Sequence, residues 1–299
     1  MQLTIKKFNF LIAVIFITSI SVQCLFAYID IISFGGMLIV SLMWIPLLAC
    51  LLSGRKCINL MLVSVKRIDI KWIGIGIFTG FVLLFAEQGS LYFGRLGHLN
   101  DQVYFLDTVR QQIHITNVAL LLGNEPQSYA FFALNLCLTI TVVGVLMAIL
   151  VVFPFEACWR GVIFQELSNL VGIHKAPIFV GLLIGLCAMP LSLFGYINPN
   201  SPLLSAFIYM PLLSVGLSYV LAGLAINTVS AWPTAIALGI YFIGSSNLFL
   251  LPDDASASMA AKGVVLALAT LWIRSALISR FERAEQQKED ITHQVEACS

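Results

Sequence analysis

Long apolar runs decide what this chain can become. A helix needs about 20 mostly apolar residues to cross the hydrocarbon layer of a bilayer. Eight stretches meet that measure: 8–29, 32–53, 72–94, 129–153, 160–195, 203–226, 229–251 and 259–279. The fifth is broken, an amphipathic half preceding a clean span at 176–195. The expected fold is therefore all-α, a multi-pass transmembrane bundle of about eight spans. Composition agrees, since only 10% of the 299 residues are charged, against about 25% in a soluble domain.

An even number of crossings puts both termini on one side, and basic residues in short loops say which. With the amino terminus inside, thirteen of the sixteen Lys and Arg residues lie inside; Arg95, Arg110 and Lys262 lie outside. Both termini are thus expected in the cytoplasm, in a plasma membrane or, for a bacterium, the inner membrane. The start, MQLTIKK before an apolar stretch, lacks a small-residue cleavage site and reads as a retained helix rather than a signal peptide. The net charge of +1 and the absence of a large basic cluster exclude nucleic acid as a partner. The expected partners are the lipid bilayer and a membrane protein or peptide. The seven cysteines are scattered without a CxxC, which supports neither a disulfide framework nor a zinc site. No metal or cofactor is expected.

Between the spans, 54–71 carries five basic residues around an apolar centre and reads as a short amphipathic segment on the cytoplasmic leaflet. In the outer loop 95–128, Ile113, Val118, Leu121 and Leu122 suggest a partly buried helix. His98 and His114 there read as surface histidines. Glu87 could line a polar cavity, but its closeness to Arg95 favours its reaching the outer interface. Turns are expected at 198–202 and from Pro252, and a helical or disordered soluble tail from Arg280. Gly181 and Gly185, four apart, form a helix-packing face, and Ser245, Ser246 and Asn247 an interhelical hydrogen-bond cluster.

The chemistry concentrates in 153–167, FPFEACWRGVIFQEL. Glu156 and Arg160 stand four residues apart, on one face of a helix, where they can neutralise each other. Ionisable residues at membrane depth are costly and mark functional sites by default. The plainer alternative is an interfacial pair with Arg160 snorkelling to the headgroups. Glu166, about 80° around an ideal helix from Glu156, is expected to face the headgroups beside Lys175.

The stretch EACWRGVIFQEL resembles the first motif of the CPBP family, intramembrane proteases related to the type II CAAX prenyl endopeptidases, written E-E-x-x-x-R. Three further places agree in order: Met43-Trp44-Ile45-Pro46-Leu47, Gly181 to Leu191 (GLLIGLCAMPL) and Ser230 to Gly239 (SAWPTAIALG). Trp232-Pro233 is also a generic way to begin a membrane helix. The resemblance implies a CPBP-like core at 129–251, after an amino-terminal membrane region at 1–128 with three spans and the outer loop. A last span and cytoplasmic tail occupy 252–299. It further implies a water activated by the first glutamate, with two histidines completing the centre. Here those three positions hold Phe155, Ala188 and Leu238, while Glu156 and Arg160 remain of the motif. The four histidines (His98, His114, His174, His293) all fall outside span interiors. The expected function is a catalytically degenerate relative acting by binding a membrane partner or peptide. The alternative is an active protease cleaving prenylated or other peptides with Glu156 as base.

Overall fold

The computed structural model describes residues 3–29, 35–66, 68–101, 103–116, 119–228, 230–246, 250–267, 269–271 and 273. The expected tail from Arg280, Asn247, Val118 and His293 lie outside these. The described chain is mostly helical: α1 (Ile5–Tyr28), α2 (Gly35–Leu52), α3 (Arg55–Lys66), α4 (Ile70–Gly94), α5 (Tyr129–Val171), α6 (Ala176–Cys187), α7 (Met189–Leu193), α8 (Pro202–Thr228), α9 (Trp232–Ser246) and α10 (Ala255–Leu271). Among the described residues four helices, α1, α4, α5 and α8, are long and apolar enough to cross a membrane. Four shorter apolar helices fall where the other spans were expected. Large apolar side chains stand exposed on the outward faces, among them Phe78, Phe85, Leu134, Leu150 and Phe207. Water would penalise such a surface and lipid would not, so this is a membrane protein.

Helix α9 sits in the middle of the bundle. Ala235, Ala237, Leu238 and Ile240 are all buried on it, because glycines let neighbouring backbones close in. A Cβ on Gly80 of α4 would come within 2.8 Å of the Ala237 carbonyl oxygen, and one on Gly239 would strike the Gly144 carbonyl of α5. Phe153 of α5 stacks on Trp232 at the start of α9, ring centroids 4.0 Å apart. The expected face on α6 behaves alike: a Cβ on Gly185 would lie 2.8 Å from the Cα of Pro211 in α8.

Two elements differ from expectation. The run 129–153 was expected to end one span, yet α5 continues for 43 residues without a break. Pro154 has no N–H to give and its ring crowds the carbonyl four residues back. A π turn at Ala148–Val152 precedes it, and the wider i→i+5 spacing absorbs that conflict. The helix stops only at Gly172, whose φ of +85° suits glycine.

Where a helix was expected in the loop 95–128, the described residues form short strands instead. β2 (Tyr104–Asp107), β3 (Gln112–Ile115) and β4 (Gln127–Ser128) pair antiparallel, while β1 (Gly97–Leu99) pairs with β5 (Leu250–Pro252). Burial alternates along β3, Ile113 and Ile115 pointing inward, a period of two that no helix produces. The turn closes because the Asp107 carboxylate accepts the Val109 and Arg110 N–H groups at 3.0 Å each. Leu121 and Leu122 lie in a later turn, where their N–H groups donate to Thr139 and Asn135 of α5. Within 54–71, Arg55–Lys66 forms the expected amphipathic helix as α3, which turns Cys57, Met61 and Ser64 inward, and Ile70 and Lys71 already belong to α4.

Candidate functional site

Glu156 and Arg160 are 0% and 2% exposed, with Arg160 Nε 3.4 Å from Glu156 Oε2. The snorkelling alternative therefore does not hold: Arg160 is inside the protein. Its burial follows from the surroundings, since residues 156–163 of α5 are buried without exception. Arg160 Nη1 also donates to the Ser218 hydroxyl of α8 at 3.4 Å. The pair is loosely satisfied. Neither carboxylate oxygen of Glu156 meets a hydrogen-bond donor, and neither Arg160 Nε nor the Trp159 indole N–H meets an acceptor. Thr234 of α9 is near enough to act on the carboxyl, but its hydroxyl donates to the Ala231 carbonyl at 2.9 Å.

Glu166 does not reach the headgroups. It is 4% exposed and accepts the Leu3 backbone N–H at 3.0 Å. A second π turn, Trp159–Ile163, lies between it and Glu156. One extra residue in the turn subtracts about 100° of rotation, so the two carboxyls diverge by about 180° instead of 80°. Glu156 faces inward and Glu166 faces α1.

Glu156 stands in the wall of a partly open cavity of about 680 Å³ in the bundle. Phe155, Ala188 and Leu238 all line it, together with Glu156 and Arg160, so the structure gathers these five positions from α5, the α6–α7 junction and α9. Met43 and Pro46 of α2 line it as well. Ala188 stands where α6 breaks before α7, Pro190 having no N–H to continue the ladder. Gln23 of α1 clasps that break, donating to the Cys187 carbonyl at 2.6 Å and accepting the Leu191 N–H at 2.9 Å.

A second charged group stands where the less favoured reading of the sequence put it. Glu87 is not at the interface but 1% exposed. It accepts the Tyr241 hydroxyl at 2.7 Å and lies 3.7 Å from Lys262 Nζ. Tyr241 and Lys262 line the same cavity. The signal was available: Glu87 sits seven residues before the end of α4, inside an apolar run, where an acid is a functional candidate by default. The nearness of Arg95 outweighed it, although α4 runs on to Gly94 and leaves Arg95 beyond the helix end.

The three described histidines, His98, His114 and His174, take no part in this site. His98 pairs with Asp253 at 2.9 Å on the exposed β1–β5 ribbon, and His114 packs against Phe105 in the other sheet. Neither they nor His174 lines the cavity. Among the described residues no group of three or more His, Cys, Asp or Glu is placed to hold a metal ion. No protein-family model matches the chain, and no curated protein sequence matches it.

Proposed function

We propose that this is a membrane protein of the CPBP type that binds a membrane partner or peptide in its central cavity and does not hydrolyse it. In this reading the chain crosses the bilayer eight times with both termini in the cytoplasm. One observation carries the proposal: Phe155, Ala188 and Leu238, in place of the acid and two histidines that the resemblance implies, stand in one cavity wall with Glu156 and Arg160. A reactive water needs two to four polar partners to be held. Three apolar side chains supply none, and proton transfer requires a base in reach of the water. The Glu156–Arg160 pair then serves as a brace across the cavity floor.

The active-protease reading has one observation in its favour: both Glu156 oxygens lack a donor and so are free to take a proton. The deciding experiment offers prenylated and unprenylated membrane peptides to the purified protein, with and without added zinc. No cleavage is expected. Cleavage that disappears in Glu156→Gln would make Glu156 the base and overturn the proposal.

A further inference from the structure

A groove of about 450 Å³ runs between α1 and α6 on the surface of the bundle. Ile12 and Phe16 of α1, Phe179 and Leu183 of α6 and Leu167 of α5 line it, so its walls are apolar. The two helices run side by side in the same direction. Leu3, before α1, is tied to Glu166 shortly before α6 begins, and Gln23 further along reaches Cys187 at the end of α6. Both helices therefore begin at the same end of the groove. Lys6 and Lys7 in the first turn of α1, and Lys175 just before α6, stand exposed there. We infer that the groove seats one acyl chain of an anionic glycerophospholipid, with its phosphate on these lysines.

Charge points to an anion. Among the described residues the ion pairs engage His98, Arg110, Arg160 and Lys262, which leaves the three lysines without an acidic partner. Glu166, next in the chain to the groove residue Leu167, does not supply one. It is 4% exposed and accepts the Leu3 N–H. Ammonium groups on flexible stems meet a phosphate as point charges, through charge-assisted hydrogen bonds. Basic pockets between membrane helices bind anionic head groups in this way.

Depth points to a lipid. The α1 residues of the groove end at Phe16, and from Lys6 to Phe16 the helix rises about 15 Å. That is half of a hydrocarbon layer of about 30 Å. The groove is thus as deep as one leaflet, which suits a chain held at its head and falls short of a partner helix crossing both leaflets. Asn9 also lines the groove and is exposed, about 4.5 Å further along α1 than Lys6. Hydrocarbon offers a carboxamide no partner. The glycerol ester of a phospholipid lies directly below the phosphate and presents a carbonyl to the carboxamide N–H groups. Phosphate, ester and chain then follow one another down the groove in the order Lys6, Asn9, Phe16.

Native mass spectrometry of the purified protein released from detergent micelles counts the lipid retained per chain. Palmitoyl-oleoyl phosphatidylglycerol is compared with its phosphatidylcholine counterpart and with glycerol 3-phosphate, a head without chains. One phosphatidylglycerol per chain is expected, about fivefold tighter than phosphatidylcholine, with no retention of glycerol phosphate. Lys6→Gln combined with Lys175→Gln should bring phosphatidylglycerol down to the phosphatidylcholine level. Arg55→Gln combined with Lys66→Gln removes two exposed charges from α3 and should leave the preference unchanged. Ala13→Trp, which fills the groove and alters no charge, should weaken both lipids about tenfold. Asn9→Leu should weaken both about threefold. Equal retention of the two lipids, an equal loss in the α3 variant, an unchanged affinity in Ala13→Trp, or a second copy of the chain seated in place of the lipid would each overturn the inference. The groove shares no residue with the central cavity, so either result leaves the preceding proposal as it stands.

Discussion

At the scale of single residues, the ion pair on α5 is where sequence reasoning reached furthest. An acid and a base four apart in apolar surroundings have few ways to be stable other than facing inward together, and Glu156 and Arg160 do so. Glu87 and Glu166 were misplaced because their partners come from afar: Tyr241 is 154 residues from Glu87, and Leu3 is 163 from Glu166. No local pattern encodes such meetings. Arg160→Ala should cost about 3–5 kcal/mol, since it strands a fully buried carboxylate; thermal unfolding in detergent measures this. Glu87→Leu should cost less, about 1–3 kcal/mol for the orphaned Tyr241 hydroxyl, because Lys262 is partly exposed and can turn to water. Tyr104, fully buried in β2, has its phenol pushed by burial up to about 12. An unfolded tyrosine loses its proton near pH 10. Between those values the folded chain holds a proton that the unfolded chain has released, so stability falls as pH rises through that window. Denaturation midpoints at pH 9 and pH 11 should therefore differ more in the wild type than in Tyr104→Phe.

At the scale of elements, the helices with strong composition were legible and the exceptions have physical reasons. The amphipathic α3 and the start of α9 at Trp232 emerged as expected. The sheet at 104–115 was missed because its strands are four residues each; apolar positions so few can be fitted to either period. The continuity of α5 was missed because a proline near a charge ordinarily ends a helix, and only a π turn lets it pass. The glycine seams around α9 yield a sharp expectation. Gly239→Ala should destabilise by about 1–3 kcal/mol, the cost of overpacking, because its Cβ has only the Gly144 backbone and Ala148 to push against. Gly74→Ala meets nothing within 4 Å and should stabilise by up to about 1 kcal/mol through helix propensity. Paired melting curves of the two variants check both signs.

At the scale of the whole molecule, the membrane class was plain in the apolar runs, whereas the cavity was not. Its walls are drawn from eight helices, α1, α2 and α5 to α10, and no single segment announces that they leave space between them. The proposed eight-crossing topology makes a clean expectation: reporters fused at either terminus should both report the cytoplasm, and one inserted at Thr108–Val109, between β2 and β3, should report the opposite side. A fusion at one terminus reporting the far side would remove one crossing. The π turn at Trp159–Ile163 has a consequence for how this chain tolerates change of length. Deleting one residue from an ordinary helix costs little hydrogen bonding but turns everything downstream. Here a deletion within the turn would restore regular α geometry and so look harmless to the helix itself. It would nevertheless swing the Glu166 carboxylate by about 100° away from the Leu3 amide and unfasten α1, so the surplus residue works as a phase spacer whose loss would be felt a full helix away.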